Sequence, residues 1–369
     1  MRHAPLVNAP APTRLTFIDA LRGIAAVAVM LYHFTGGPMH PMLVERLPWP
    51  VVGALGHGWL GVQVFFVLSG FVIAYAIGER AMTPRGVGRF ALRRQLRLDP
   101  PYWASIAFAV GYAWHLRLRF GPTRAVPRPR DIVATALYVQ HFVGATAVQE
   151  VYWTLAIEVQ LYLGFTLLLC LLDGAMRARG EQPSRMLTAW VMATIGGWLL
   201  DLAMHWRLPV GWFVPHGYLF AMGACTWYAL AGHLPRGVLL AGLVLTAASG
   251  WYFERIEAPT GAAVAGIIYL VGRREALGRT LDGFAWQWLG RLSYALYLTH
   301  IVSGAISRGA LRQDVEDATP RGAAVIMLCG VSLSLTVALV LHVLVERPAI
   351  RLASKLRWDA RPVRRDEGP

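Results

Sequence analysis

Long apolar runs alternate along this chain with short connections rich in proline, glycine or arginine, and that rhythm sets the expected architecture. Ten stretches read as spanning helices or shorter apolar segments, near residues 17–36, 59–78, 100–116, 152–173, 187–204, 212–231, 236–253, 259–272, 288–307 and 322–344. The predicted class is all-α, a polytopic membrane protein with about ten transmembrane helices. The piece 132–143 is too short to span and reads as a re-entrant or interfacial helix.

Composition agrees. Only 15% of the 369 residues are charged, 56% are hydrophobic and mean hydropathy is +0.46, whereas soluble domains carry about 25% charged residues. Ten crossings place both termini on one side, expected to be the cytoplasm. Lys and Arg then number 22 in the inner segments against 11 in the outer ones, the bias that positive-inside topology produces. The net charge of +14 therefore reads as topology rather than nucleic-acid binding. One connection resists: 116–131 carries Arg117, Arg119, Arg124, Arg128 and Arg130 on the supposed outer side. Either it folds back toward the protein interior or the third and fourth helices have other boundaries.

The expected organisation is a cytoplasmic segment 1–16 without a cleavable leader, a membrane domain 17–346, and a basic tail 347–369 on the anionic cytoplasmic surface, with no soluble catalytic domain appended. Cys170, Cys225 and Cys329 lie in apolar segments and form no close pair, so neither a disulfide framework nor a zinc site is expected. Lys355 is the only lysine, which argues against Schiff-base chemistry.

Ionisable residues inside membrane helices are costly and are candidates for function. Arg22 and His33 stand eleven residues apart in the first apolar segment. Eleven residues make three turns plus about 20°, so both side chains share a face roughly 16 Å apart. His33 lies roughly 21 Å beyond a helix start at Asp19. Glu158, on a helix running the other way from Tyr152, comes to the same depth, roughly 9 Å from the outer boundary. A carboxylate there would orient the imidazole and raise its basicity. His300 lies at similar depth, roughly 18 Å from a start at Trp288, and could bind substrate, shuttle protons or only brace a neighbouring helix. Asp19, three residues before Arg22, is expected to pair with it. Arg89, Arg93, Arg94 and Arg97 lead into Asp99-Pro-Pro-Tyr-Trp103. With Arg22, Arg94 and Arg97 could hold a pyrophosphate at the inner mouth, since guanidinium groups suit phosphate. Ser69 and Gly70 offer close approach to a backbone or ligand, although Ser69 lacks the glycine pattern of a nucleophile elbow. His57, His141, His205 and His216 read as structural or solvent-facing.

Taken in order, six motifs resemble acyltransferase family 3, polytopic membrane enzymes that O-acylate bacterial surface sugars and some secondary metabolites. They are Phe17-Ile-Asp-Ala-Leu-Arg-Gly-Ile-Ala-Ala26 with His33, Phe65-Phe-Val-Leu-Ser-Gly-Phe71, Arg94-Gln-Leu-Arg-Leu-Asp-Pro100, Trp153-Thr-Leu-Ala-Ile-Glu-Val-Gln-Leu-Tyr162, Leu289-Gly-Arg-Leu-Ser-Tyr-Ala-Leu-Tyr-Leu-Thr-His300 and Val345-Glu-Arg-Pro348.

The resemblance implies a multi-pass protein of the bacterial inner membrane. An acyl-CoA donor, acetyl-CoA by family habit, would arrive from the cytoplasm and a carbohydrate or small-molecule hydroxyl acceptor from the other side. It makes His33 catalytic, as general base or covalent acyl carrier, with Glu158 in support, and Arg22, Arg94 and Arg97 contacts to the donor phosphates. Asp19, Ser69, Trp153 and His300 fall on its motifs as substrate or supporting residues. No metal is implied. Many relatives carry an appended SGNH hydrolase-like domain; for this chain any such half is expected to be a separate protein. Val159 and Leu161 depart from the family pattern, which leaves acceptor specificity open. The competing class is a proton-coupled transporter or flippase, in which Glu158, His33 and His300 would relay protons. Against it stand the absence of an internal repeat with paired broken helices and the unexplained arginine cluster.

Overall fold

Each of the ten apolar segments lies on a helix. A computed structural model describes residues 14–35, 47–206, 211–311 and 320–356. The helices are α1 (Thr16–Thr35), α2 (Trp49–Gly56), α3 (Gly61–Ile77), α4 (Pro84–Phe120), α5 (Pro129–Ala136), α6 (Trp153–Ala178) and α7 (Arg185–His205), followed by α8 (Val214–Leu230), α9 (Arg236–Tyr252), α10 (Glu257–Arg273), α11 (Phe284–Leu311), α12 (Pro320–Leu341) and α13 (Arg347–Lys355). Single turns of tighter helix at Gly58–Leu60 and Glu150–Tyr152 lead into α3 and α6, and a π-helical turn, His342–Glu346, joins α12 to α13. No strand occurs among the described residues. Five helical stretches are long and apolar enough to cross a membrane: Thr16–Thr35, Gly58–Ile77, Glu150–Ala178, Arg185–His205 and Arg321–Lys355. The chain is thus an all-helical, multi-pass membrane protein.

Helix starts follow local chemistry. Thr83 caps α4 by accepting a hydrogen bond from the Gly86 N–H at 3.1 Å, with Pro84 in the first turn. Ser184 caps α7 through the Leu187 N–H at 3.2 Å. Helix α4 runs unbroken from the arginine-rich stretch through the third apolar segment, across Pro100 and Pro101, which contribute no N–H donors.

The site depends on how α1 packs against α11. Gln287 Nε2 donates to the Thr16 carbonyl at 2.9 Å near the start of both helices. A Cβ at Gly23 would lie 2.7 Å from the Gly290 backbone nitrogen, so these backbones touch. Further along, Phe34 fills the space beside Gly304. The two helices therefore run side by side in the same direction, in contact where small residues permit it. A second crossing of this kind, between Gly70 of α3 and Gly223 of α8, leaves no room for a side chain on either glycine.

The third apolar segment does have other boundaries, since its helix runs from Pro84 to Phe120, and the five arginines of 116–131 stay exposed. After α4 the chain turns back, and α5 lies against the middle of that helix: the Tyr102 hydroxyl donates to Thr135 O at 2.8 Å and Trp103 Nε1 to Ala136 O at 3.1 Å. Tyr138 stacks on Tyr102 and donates to Asp99 Oδ1 at 2.8 Å. The stretch 121–149 thus folds inward, and α6 begins inside the bundle, with Val151 and Tyr152 buried.

The turn before α4 is fixed by a buried ion pair. Arg185 grips Asp173 with two bonds, at 2.8 and 3.2 Å, and Asp173 also accepts from the Met82 N–H at 2.6 Å. Arg185 donates on to Arg80 O at 2.9 Å. At the far end of the chain, α13 buries Ala349 and Ala353 and packs against α4, while Arg347, Arg351 and Lys355 stay exposed four residues apart. Replacing Asp173 by Ala strands a buried guanidinium and is expected to cost about 3–5 kcal/mol. The measurement is the thermal midpoint of the purified protein in detergent. An unchanged midpoint would mean the pair does not hold the turn.

Candidate functional site

The parallel alignment of α1 and α11 brings two histidines together. His300 Nε2 lies 3.3 Å from His33 Nδ1, and the ring centroids are 5.1 Å apart. His33 Nδ1 is also 2.8 Å from Val29 O, one turn back on its own helix. His300 Nδ1 sits against two carbonyls of α11, Tyr297 O at 2.9 Å and Leu296 O at 3.1 Å. His300 is wholly buried; His33 is half-buried.

One turn back along α11, Tyr297 links this layer to α6. Its hydroxyl pairs with Thr154 Oγ1 at 2.8 Å and donates to Val151 O at 3.2 Å. Its ring packs edge-on against Phe65 at 5.6 Å and lies 5.9 Å from the His300 ring. Beside it, Trp153 lies 5.2 Å from His216, which stacks on Phe66 at 5.1 Å.

The next layer is ionic. Arg94 of α4 is salt-bridged to Glu158 of α6, and Ser69 of α3 donates to the same carboxylate oxygen at 3.1 Å while accepting from Arg94 at 3.3 Å. Arg94 also lies over the Tyr162 ring, 5.0 Å from its centroid. Its Nε is buried and has no partner. Arg97, one turn on, feels the charges of Arg22, Arg94, Glu158 and Glu346 together. Its side chain is exposed. Glu346 is buried in the π-helical turn and bonds to His342 Nδ1 at 2.8 Å. Such turns recur at functional sites. Tyr294 bridges α11 to α4 through Leu98 O at 2.9 Å.

Several expected residues therefore converge, with changed partners. Arg22, Arg94 and Arg97 form one cationic cluster. Ser69 belongs to the Arg94–Glu158 group, and Trp153 to the aromatic group beside Tyr297. Asp19 does not pair with Arg22: its carboxylate accepts from Arg14 Nε at 3.0 Å. Arg14 precedes the helix and folds over its first turn, where a carboxylate also offsets the helix dipole, leaving Arg22 to the inner cluster. Glu158 is not joined to His33. Thr154 stands level with Tyr297, and Glu158 lies a turn further from the histidines, about 10 Å along the axis from His300. The equal depths expected for His33 and Glu158 fail because α6 starts inside the bundle rather than at its edge. The imidazole's neighbour is His300.

Thr154, Tyr294, Tyr297, His342 and Glu346 join the site without having been assigned a role from the sequence. The signal available was polarity within otherwise apolar stretches, and Glu346 stood within the quoted Val345-Glu-Arg-Pro348 motif without a role.

The family model for the acyltransferase domain of acyltransferase family 3 matches residues 15–343. The chain belongs to that family. It is 29% identical over 174 residues to O-acetyltransferase OatA of Staphylococcus aureus, covering 44% of this chain and 26% of OatA. It is 27% identical over 363 residues to BcsY of Komagataeibacter xylinus, named as a membrane-bound transacylase, covering 90% of this chain and 82% of BcsY. The regulator of hypoxia-inducible factor 1 of Caenorhabditis elegans is 28% identical over 167 residues, 41% of this chain and 33% of that protein. The match thus spans about a quarter of the length of OatA. No solved structure matches the chain.

Because Arg94 and Glu158 share one bond, their effects should not add. A double-mutant cycle with Arg94→Ala and Glu158→Ala is expected to return a coupling of about 0.5–3 kcal/mol in stability. Simple additivity in thermal midpoints would show that the pair is not formed in the membrane.

Proposed function

We propose that this acyltransferase is an O-acyltransferase of the bacterial inner membrane, with ten crossings and both termini in the cytoplasm. It moves an acyl group, acetyl by family habit, from acyl-CoA on the cytoplasmic side to a hydroxyl of a carbohydrate or related acceptor. The observation that carries this reading is the pairing of a cationic cluster at one end of α1 with a half-buried imidazole at the other. Arg22 and Arg97 contact the donor phosphates; Arg94, already bonded to Glu158, presents its remaining donors beside them. Roughly 16 Å of helix separates Arg22 from His33, and the donor's neutral pantetheine arm spans it. Membership of the family and the name of BcsY support acyl transfer, and the name of OatA supports oxygen as the acceptor atom.

In the transfer step the acceptor oxygen attacks the thioester carbonyl and His33 takes the hydroxyl proton. The carbon–sulfur bond breaks, the ester carbon–oxygen bond forms, and His33 returns the proton to the departing thiolate. In the covalent variant His33 first carries the acyl group itself. Trapping acyl-histidine by rapid quench with donor alone selects that variant. Glu158 acts on Arg94 and Ser69 rather than on the imidazole.

His33→Ala is expected to lower turnover by about 10²–10⁴-fold while leaving coenzyme A binding unchanged. Arg97→Ala is expected to raise KM for the donor with a smaller effect on kcat. Release of free thiol from acetyl-CoA by membranes carrying the protein reports both. Wild-type turnover in His33→Ala, or substrate flux without thioester consumption, would sink the reading. Mass spectrometry of surface glycans from cells with and without the protein, read for a lost ester, identifies the acceptor.

A further inference from the structure

The hydrogen-bond pattern around the two histidines fixes where their protons sit. Carbonyl oxygens only accept, so His300 Nδ1, facing Tyr297 O at 2.9 Å and Leu296 O at 3.1 Å, carries a hydrogen. In a neutral ring Nε2 is then a bare acceptor, and it points at His33 Nδ1, 3.3 Å away. His33 Nδ1 carries its own hydrogen, because Val29 O stands 2.8 Å from it. One N–H is thus shared between a backbone carbonyl and the His300 ring. The lone pair of His33 falls on Nε2, to which no described residue bonds.

We propose that His300 is a positioning residue for His33: a buried neutral imidazole that accepts the Nδ1–H, holds the Nε2 tautomer and takes up the stronger Nδ1–H bond when Nε2 gains a proton or an acyl group. The inference rests on the proposed role of His33 and deepens it. His300 touches neither donor nor acceptor. A carboxylate serves this purpose in many hydrolytic sites, yet Glu158 is committed to Arg94. The ring is held twice, by the two carbonyls of α11 and by close packing on Tyr297 at 5.9 Å. Tyr297 is itself tied to Thr154 and Val151. The α1–α11 contact at Gly23 and Gly290 sets the register that brings the two rings level.

The shapes of two amides test this. Glutamine in place of His300 can set its Oε1 near the position of Nε2 and accept from His33. Asparagine reaches only the position of Nδ1: it keeps the bond to the α11 backbone and loses His33. Turnover of acetyl-CoA by membranes carrying full-length His300→Gln, His300→Asn or His300→Leu is compared with wild type and His33→Ala, by thiol release. His300→Asn and His300→Leu are expected to lose about ten- to a hundredfold in kcat, with KM for acetyl-CoA unchanged, and His300→Gln to recover most of it.

A bracing role predicts another ranking, with Asn at least as good as Gln and losses that follow thermal midpoint. That ranking, equal losses in all three variants, or wild-type kcat in His300→Leu would each overturn the proposal. If His33→Ala itself keeps turnover, the role of His33 fails and the question of its partner falls with it; a dead His33→Ala with an active His300→Leu refutes this inference alone.

Discussion

The close, parallel contact between α1 and α11 is the constraint on which the site depends. Two glycines, Gly23 and Gly290, let the backbones meet near the start of both helices. From that point each helix rises about 1.5 Å per residue. Ten residues along α1 and ten along α11 therefore arrive level, at His33 and His300. The histidine pair is thus a consequence of register rather than of local sequence around either ring. A side chain at either glycine would push the helices apart and take both rings out of reach, although neither glycine touches a histidine.

The polar groups between these helices and α3, α4 and α6 fall into layers. An ionic group of Arg22, Arg94, Arg97, Glu158, Ser69 and the buried Glu346 lies farthest from the histidines; then comes Tyr297 with Thr154, and last His33 with His300. Buried ions are tolerated only when paired and hydrogen-bonded. In this cluster only Glu346 is buried and the other ions keep solvent access; among the described residues three guanidinium groups face two carboxylates, and Glu346 is also engaged by His342. An anion docking at Arg22 and Arg97 would complete the balance. Under the proposed function this would give the cluster a physical reason to bind phosphate that positive-inside topology alone does not supply.

Much of this was legible in the sequence, and the parts that were not have definite causes. Helix positions came through because apolar runs of spanning length have few other readings. The Arg22–His33 stripe came through because both residues belong to one helix, where spacing fixes geometry. Relations between helices did not. Asp19 and Arg22 are well spaced for an i,i+3 pair, yet Arg14 lies just outside the helix and competes successfully. Glu158 was set at the wrong level because depth was counted from a boundary at Tyr152, while the chain had already folded inward through Tyr138 and Asp99. The arginines of 116–131 signalled that fold without revealing its path. The pairing of His300 with His33 needed the direction and register of α11, which no periodicity carries.

The separation of charge from neutral polarity explains why a histidine, and not a carboxylate, stands beside His33. A carboxylate at that level would be a second buried ion, far from the guanidinium groups that could compensate it. Across roughly 10 Å, the separation of the Arg94–Glu158 level from His300, the interaction between unit charges is about 2 kcal/mol at an effective dielectric constant of about 20, less than the several kcal/mol of desolvation that each buried ion incurs. A neutral imidazole accepts the Nδ1–H without adding a charge. The same division suits the proposed acyl-CoA donor, whose phosphates carry all its charge at one end and whose thioester is neutral at the other. The ionic end of the bundle matches the first and the histidine end the second, so one molecule can lie along α1 without forcing an ion into a layer that cannot balance it.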